Sequence, residues 1–282
     1  MTDLQKVIYE IFLDVAKTLK ENNIDYYAIG GTCLGAIRHQ GFIPWDDDID
    51  IAVKIEDYDK AIEVLRNDLP SHYTVRFIDT NSCYPNIFFK VVDERTTCIE
   101  RIEFGTPEAY KGCFVDVMPL SGVPDNEFLR KIFCYKINIY RILHEMQTLG
   151  KIVLDLEWKK KLYPVLKPCL KRLPSCFFGK KWYKMLKRYP FETSKYTGYV
   201  WFYDAKNLIY RTEVFGKPVP LKFESTEMLC PEDSHSFLEL LFGDYMALPP
   251  EDQQVPIHVG LVDLEHSYHD YATGKYPIVR EK

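Results

Sequence analysis

The sequence predicts an α+β fold, in which helices pack on a mixed β-sheet with a basic helical insertion. Three observations favour this class. Residues 3–67 alternate amphipathic helical patterns with short apolar runs. Residues 73–116 are rich in apolar runs separated by polar turns, as in successive strands. Residues 126–188 then become helical and basic. This order predicts a sheet with helices on it rather than an all-helical or all-β protein.

The first predicted helix covers residues 3–22, where Leu4, Ile8 and Ile11 recur at helical spacing. A short strand at 26–29 ends in Gly30–Gly31, and Thr32 is expected to cap a short helix that runs through Ile37. The later predicted elements are strands at 49–53, 73–78, 87–92, 97–102, 113–117, 208–210 and 221–223, and helices at 57–67 and 234–242. We expect residues 1–125 to form a catalytic core, 126–190 a basic helical insertion, and 191–282 a part that completes the core.

The chain of 282 residues has a net charge of −5. Sixteen Lys/Arg and four Asp/Glu between Glu127 and Arg188 give that segment +12, so the remainder carries −17. This asymmetry indicates an anionic partner for the basic segment, with a solvated helical surface as the alternative. No secretory signal or membrane-spanning run is recognisable, and the eight cysteines include no CxxC pair. These features predict a cytoplasmic protein with reduced thiols.

The first chemical signal is the glycine pair that follows the strand at 26–29. Gly30 and Gly31 allow backbone amides to approach a ligand, and the helix that follows directs its N-terminus at the same place, which favours phosphate. We therefore predict that Gly30, Gly31 and Thr32 bind substrate. A glycine pair alone is also common in ordinary turns, so the prediction depends on the neighbouring residues.

The second chemical signal is an acidic run, Asp46-Asp47-Asp48-Ile49-Asp50, which begins sixteen residues after Gly30. Carboxylates this close repel one another unless a cation or solvent intervenes. Side chains alternate along a strand, so Asp46, Asp48 and Asp50 would share one face if the strand extends that far. Such oxygen ligands suit Mg²⁺, or Mn²⁺, with an acidic surface loop as the alternative.

The third chemical signal is Asp116, which interrupts the apolar run Cys113–Met118. A buried carboxylate needs a cation or donors beside it, so Asp116 is either a further metal ligand or a structural aspartate paired with Lys or Arg. The glycine pair, Asp48-x-Asp50 and Asp116 together form the pattern of nucleotidyltransferase-fold enzymes. We therefore predict a metal site made of Asp46, Asp48, Asp50 and Asp116, with Asp48, Asp50 and Asp116 as the catalytic residues.

Three other residues are candidate substrate contacts. Arg38 is a candidate phosphate ligand, with a helix-end salt bridge as the alternative. His39 has a weaker claim, because a single histidine after a helix is more often structural. Lys90 lies between apolar strand residues and is a candidate phosphate contact, with a surface lysine that extends into solvent as the alternative.

The segment from Ile29 to Ile51, IGGTCLGAIRHQGFIPWDDDIDI, resembles the signature of the LicD/fukutin family. FVDVMPL at 114–120 and FGDYMALPPE at 242–251 resemble two further family segments, and Lys222-Phe223-Glu224 matches a shorter one. Cys33 stands where the family usually has Leu, and Ser225 where Gly is common. The resemblance covers residues ~25–125 and ~215–255 and matches the basic middle only loosely.

The resemblance implies a nucleotidyltransferase-like fold and transfer of a phospho-alcohol, phosphocholine above all, from a CDP-activated donor such as CDP-choline to a glycan hydroxyl. It implies Mg²⁺ at the aspartates, release of CMP, and a substrate contact from Lys222. In the reaction that it implies, Asp116 either completes the metal site or accepts the proton of the acceptor hydroxyl. A choline headgroup favours an aromatic cage, for which Trp201, Phe202, Tyr203 and Tyr245 are available. The basic residues and aromatics of 151–188 suit a membrane surface that carries a lipid-linked glycan acceptor, at the inner face of the membrane.

Two other functions share part of the pattern. A nucleotidyltransferase that moves NMP from an NTP to a small molecule would use the same glycines and aspartates, but is expected to lack the RHxGxIPWDDDxD block. A non-catalytic module that binds an anionic ligand or nucleic acid through the basic segment would not need the acidic cluster. We therefore expect no nucleic-acid partner.

Overall fold

The computed structural model describes residues 1–78, 84, 86–104, 110–148, 157–174, 176–198, 208–256 and 258–278. Within them the predicted α+β class is confirmed. The helices are α1 (Asp3–Glu21), α2 (Gly30–His39), α3 (Ile55–Asp68), α4 (Glu127–Thr148), α5 (Glu157–Arg172), α6 (Phe177–Leu186), α7 (Ser234–Phe242) and α8 (Tyr268–Ala272). The strands are β1 (Tyr26–Ala28), β2 (Asp50–Lys54), β3 (Tyr73–Arg76), β4 (Phe89–Asp93), β5 (Thr97–Glu100), β6 (Phe114–Leu120), β7 (Gly122–Val123), β8 (Tyr196–Gly198), β9 (Ile209–Arg211), β10 (Val219–Phe223), β11 (Thr226–Cys230) and β12 (Val259–Asp263).

The central sheet has the strand order β1-β2-β6-β4-β3. Strands β2 and β6 run parallel, and the other three pairs of this sheet are antiparallel. The middle residues of β2, and all of β4 and β6, are buried. Strands buried on both faces read as continuous apolar runs, which is why an aspartate within β6 stands out in the sequence.

Helices α1 and α3 pack on each other and on this sheet. A capping box between Thr2 and Gln5 begins α1, and its apolar face is buried. The predicted cap of α2 was wrong. The helix begins at Gly30 after Ile29, and no side chain caps it. Thr32 lies inside the first turn, where its Oγ1 accepts a hydrogen bond from the backbone N–H of Asp50 at 2.8 Å.

The basic helices α4, α5 and α6 form a group in which α4 packs on both of the others. Helix α6 also reaches α3, where the Tyr183 hydroxyl donates to Asp59 at 2.5 Å. Trp182 is fully buried, and the buried residues of α4 and α6 belong to the same hydrophobic cluster as the central sheet. The segment is therefore packed onto the catalytic core, while its boundaries at 126 and 190 stay a prediction. No helix in the described ranges is both long and apolar enough to cross a membrane.

The C-terminal part returns to the core in two places. The β10–β11 hairpin contacts β1 and α2, and β12 pairs with β5 in a separate two-stranded sheet. The sequence analysis did not predict β8, β11, β12 or α8. Strand β12 matters for the site, because the residue before it, His258, is brought beside the acidic run.

Candidate active site

The parallel pairing of β2 and β6 brings the two predicted aspartates together. Asp50, the first residue of β2, lies directly opposite Asp116 in the register. The backbone N–H of Asp116 donates to Ile49 O at 2.9 Å, which fixes this end of the ladder. Two residues that are 66 positions apart in the chain thus lie side by side at one end of the β2–β6 ladder.

The acidic run that precedes β2 is not itself a strand, yet its side chains alternate as predicted. Asp46, Asp48 and Asp50 line one cavity of about 510 Å³. Asp47 is buried away from it, and its Oδ2 accepts hydrogen bonds from the backbone N–H groups of His258 and Val259. The run therefore supplies three carboxylates to the cavity and uses the fourth to hold the C-terminal segment.

The glycine pair stands against these carboxylates. Gly30 has φ +54°, in the left-handed region that favours glycine, and a Cβ there would lie 3.4 Å from Asp50 Oδ2. A Cβ on Gly31 would lie 2.6 Å from Asp46 Oδ2, closer than real side chains allow. The first turn of α2 therefore meets the acidic cluster at contact distance. Helix N-termini favour anions, so this end of α2 stabilises the carboxylates beside it, and a phosphate contact from Gly30, Gly31 and Thr32 stays a prediction.

Asp116 has a cationic partner, Lys90 of β4. Lys90 Nζ lies 2.7 Å from the carboxylate, and both side chains are almost completely buried. Asp116 Oδ2 accepts the hydrogen bond, whereas Oδ1, although close to the ammonium, makes no hydrogen bond of good geometry within the described residues. Lys90 is therefore not a surface lysine, and its ammonium is committed to Asp116. A direct phosphate contact from Lys90 stays a prediction.

A buried network of charges continues behind this pair. Glu100 Oε2 lies 3.9 Å from Lys90 and 2.5 Å from Lys111, and Lys111 also contacts Glu103. Although burial opposes ionisation, Lys111 and Lys90 hold the pKa of Glu100 at about 2. Burial also works against a charge on Lys90, but Asp116 and Glu100 raise its pKa above the usual value. The cations of this network are thus fixed in place by acidic partners.

Burial and mutual repulsion raise the pKa of the carboxylates that line the cavity and of Asp116 behind them. Burial, followed by the charges of Asp48 and Asp47, raises the pKa of Asp46 to about 8. Burial, then Asp48 and Asp116, raises the pKa of Asp50 well above its ordinary value. Burial raises the pKa of Asp48, and it raises the pKa of Asp116 to about 7 although Lys90 opposes the change. A bound cation would favour the ionised forms.

His258 joins the site, which the sequence analysis missed. Its Nε2 lies 3.8 Å from Asp48 Oδ2, and the half-exposed ring lines the cavity. Among the described residues, Asp47, Asp48 and His258 form a group whose ligand atoms lie within 4.8 Å of one another. A second buried oxygen, Asp47 Oδ1, has no hydrogen-bond partner in the described structure. Asp47, which carries this oxygen, and Asp48 supply hard carboxylate ligands that fit a divalent cation such as Mg²⁺ or Mn²⁺.

The cavity is also lined by aromatic and apolar residues. Trp45, Phe242 and Tyr245 line it, together with Leu248 and the carboxylate of Asp244. The residues from 242 to 249 thus contribute a second wall. Of the aromatic residues predicted as a headgroup cage, Tyr245 lies here, whereas Trp201, Phe202 and Tyr203 lie outside the described residues.

Arg38 holds this second wall in place. Its Nη1 donates to the backbone carbonyls of Tyr245 at 2.7 Å and Ala247 at 3.1 Å. The guanidinium also lines the cavity, so a phosphate contact stays a prediction for its remaining donors. His39 packs edge-on against Trp45, with ring centroids 6.4 Å apart. The structure therefore places His39 behind Trp45, as a neighbour of the cavity wall.

Lys222 lies apart from these residues. It is exposed on β10 and lines a different groove, together with Lys17 and Lys20 of α1. Its neighbour Glu224 instead contacts the loop after α2, where the Oε1 atom accepts a hydrogen bond from the backbone N–H of Phe42 at 3.0 Å. The structure does not bring Lys222 to the carboxylates, so its position does not support the predicted substrate contact.

Comparison with known proteins gives a family match over the acidic site. Residues 23–128 match the family model described as the LicD/FKTN/FKRP nucleotidyltransferase domain. This range contains the glycine pair, the acidic run, Lys90 and Asp116, whereas His258 and the 242–249 wall lie beyond it.

Three relatives are similar to parts or most of the chain. The lipopolysaccharide cholinephosphotransferase LicD of Haemophilus influenzae is 29% identical over 265 residues, which cover 90% of this chain and 95% of that protein. An uncharacterised Rickettsia prowazekii protein is 31% identical over 131 residues, 36% of this chain and 48% of that protein. Mouse ribitol-5-phosphate transferase FKTN is 41% identical over 49 residues, 17% of this chain and 11% of that protein.

Proposed function

We propose that this chain is a transferase of the LicD/FKTN/FKRP family and that it transfers phosphocholine from CDP-choline to a hydroxyl group of a glycan. The acceptor is a surface glycan or a lipid-linked oligosaccharide. The similarity to the Haemophilus influenzae cholinephosphotransferase, which extends over most of both chains, supports this choice of headgroup.

One structural observation carries the proposal. A single cavity is lined both by the carboxylates Asp46, Asp48 and Asp50 and by the aromatic residues Trp45 and Tyr245. The donor CDP-choline has the matching parts, a pyrophosphate that needs positive charge and a quaternary ammonium that aromatic faces and carboxylates attract. We assign the pyrophosphate to the carboxylate side, with the first turn of α2, and the ammonium to the aromatic side near Asp244.

The proposed reaction is a displacement at the phosphorus that bears choline. The acceptor oxygen forms the new P–O bond, the bond from this phosphorus to the oxygen of CMP breaks, and CMP leaves. Asp48 and Asp50 would hold Mg²⁺, with Asp46 and Asp116 beside them. When bound, the cation would neutralise the pyrophosphate and the charge that develops on the leaving group.

The proton of the acceptor hydroxyl needs a base that faces the cavity. Asp116 is buried next to Lys90 and is not among the residues that line the cavity, whereas His258 lines it. We therefore assign the general base to His258 and give Asp116 and Lys90 the task of positioning the carboxylate cluster. The backbone N–H of His258, held by Asp47, keeps the ring at the edge of the acidic run.

Product analysis tests this function against its main alternative. The protein is incubated with Mg²⁺ and a panel of CDP-alcohols, and in parallel with NTPs and small-molecule acceptors. We expect CMP from CDP-choline, with less from CDP-ethanolamine and CDP-ribitol. Pyrophosphate released from an NTP, without CMP from any CDP-alcohol, would instead identify a nucleotidyltransferase.

A further inference from the structure

Helix α4 has two faces of different character. One face is buried and includes Phe133 and Ile137, and the helix packs on α5 and α6. The opposite face carries Phe128, Ile132, Tyr135 and Ile139, whose spacing of four, three and four residues places them on one side of a helix. Large apolar side chains in such a row are normally covered.

These side chains are open in the described part of the chain. Phe128 is 70% exposed and Tyr135 is 69% exposed, while Ile132 and Ile139 are each 37% exposed. Leu129, beside them, is 53% exposed. From Phe128 to Ile139 the row extends about 17 Å along the helix, so it forms a continuous apolar strip rather than an isolated residue. We call Phe128, Ile132, Tyr135 and Ile139 the outer face of α4.

Exposed lysines lie on the helix that carries the outer face and on the neighbouring helix α6, and one of them, Lys131, is paired with the exposed Glu127 at 2.6 Å. Lys131 and Lys136 are exposed on the same helix, and Lys180, Lys181 and Lys184 are exposed on α6, which packs against α4. The whole segment from Glu127 to Arg188 carries +12, within a chain whose net charge is −5. An apolar helical face flanked by lysines is typical of a helix that lies in the interface of an anionic bilayer.

From this combination we propose that the outer face of α4 docks the protein on an anionic membrane surface. Phe128 and Tyr135 enter the boundary between headgroups and acyl chains, and the lysines of α4 and α6 contact the anionic headgroups. The surface differs from the one predicted from the sequence, 151–188, because the exposed apolar row lies on α4.

A second copy of the chain fits this surface less well. A two-fold interface places the same patch against itself, so the outer faces would meet with their lysines opposed. Like charges at such short distance oppose association. A bilayer of anionic lipids supplies both the apolar phase and the opposite charge. The proposal is independent of the proposed reaction, because membrane binding is measured without donor or acceptor.

Co-sedimentation of the full chain with vesicles tests the proposal. We expect binding to vesicles of phosphatidylglycerol and phosphatidylcholine at low salt, weaker binding at high salt, and little binding to phosphatidylcholine alone. Absence of binding to the anionic vesicles at low salt would overturn the proposal, whatever the result of the CMP assay.

Paired variants locate the surface. Phe128→Ser/Tyr135→Ser and Lys131→Glu/Lys136→Glu should each weaken binding by at least about ten-fold. The matched controls are Leu13→Ser/Val219→Ser, which change exposed apolar residues elsewhere, and Lys17→Glu/Lys20→Glu on α1; both should bind nearly as the wild type does. Circular dichroism confirms that each variant is folded. Equal binding of the α4 variants and their controls would overturn the assignment to α4.

Sedimentation velocity without lipid tests whether a second copy of the chain covers the outer face of α4 instead. We expect a monomer whose state does not change in Phe128→Ser/Tyr135→Ser. A wild-type dimer that this variant dissociates would show that the outer face joins two copies, and would overturn the membrane proposal.

Discussion

Asp50 and Asp116 lie directly opposite each other across the parallel strands β2 and β6, with Lys90 Nζ 2.7 Å from the Asp116 carboxylate. The sheet thus holds one carboxylate at the cavity and a second one just behind it, beside a buried cation. This arrangement separates two tasks. Asp50 lines the cavity that the proposed reaction uses, and the buried Asp116–Lys90 pair is assigned the positioning role in that proposal.

The first prediction concerns the Lys90–Asp116 pair. Lys90→Met should lower the free energy of unfolding by about 3 kcal/mol at about pH 8, because it leaves Asp116 buried without its cation. The double variant Lys90→Met/Asp116→Asn should recover part of that loss, with a coupling energy of about 1–3 kcal/mol. Urea denaturation of the wild type, the two single variants and the double variant measures this cycle.

The control for that cycle is the exposed pair Lys6–Asp3, where Lys6→Met should leave the free energy of unfolding nearly unchanged because solvent screens the pair. Strictly additive effects of Lys90→Met and Asp116→Asn would contradict the buried ion pair.

The second prediction concerns His258. His258→Ala should lower kcat by about 10²-fold or more, with little change in the KM for the donor, because the proton acceptor is lost. Added imidazole should restore part of the rate. His72→Ala, which changes a histidine away from the cavity, should keep the wild-type rate. Full recovery of His258→Ala by excess metal would instead identify His258 as a metal ligand.

The third prediction concerns pH and Asp46. Its pKa rises from 3.8 to about 8 in the folded protein, so the folded state holds a proton that the unfolded state releases. The stability that Asp46 contributes is therefore complete below about pH 4 and is lost as the pH rises towards 8. In EDTA, the wild type should lose stability relative to Asp46→Asn over this range, by at most about 1.4 kcal/mol per pH unit.

Added Mg²⁺ should reverse that trend, because metal binding competes with protons and strengthens as the pH rises. Denaturation curves at several pH values, with EDTA and with Mg²⁺, measure both effects. Parallel pH dependences of the wild type and Asp46→Asn in EDTA would contradict the buried, protonated state of Asp46.

The fourth prediction concerns the aromatic wall. Trp45→Ala should raise the KM for CDP-choline by about ten-fold, because a cation–π contact in a partly dry site contributes on the order of 1–2 kcal/mol. The KM for CDP-ribitol, which carries no cation, should change much less. Trp45→Phe keeps an aromatic face, so its KM for CDP-choline should lie between those of the wild type and Trp45→Ala. An equal loss for both donors would show that Trp45 is not a headgroup contact.

Much of the acidic site is predictable from local sequence. Asp48 and Asp50 stand in one short acidic run, and Asp116 interrupts an apolar strand. Both patterns can be recognised in the sequence without knowledge of the fold. The alternation of Asp46, Asp48 and Asp50 was also predicted, although the strand begins only at Asp50. The residues before the strand form no regular element, yet Asp46 and Asp48 line the same cavity as Asp50.

Other parts of the site depend on contacts between distant segments. His258 reaches Asp48 because β12 pairs with β5 and Asp47 binds the backbone before it, and neither contact leaves a local pattern. The pairing of Lys90 with Asp116 follows from the register of β4 and β6. The position of Lys222 could not be predicted for the same reason, since a hairpin can present its polar residues to either side of the core.

A comparison of CMP release from CDP-choline by the wild type and by Asp50→Asn is the decisive experiment for the proposed reaction. With Mg²⁺ and a glycan acceptor, the wild type should release CMP and add phosphocholine to the acceptor in equal amounts. Asp50→Asn should lower this rate by at least about 10²-fold, while Asp252→Asn, which changes an exposed aspartate outside the cavity, should not. Release of CMP by Asp50→Asn at the wild-type rate would show that the acidic cluster is not the catalytic metal site.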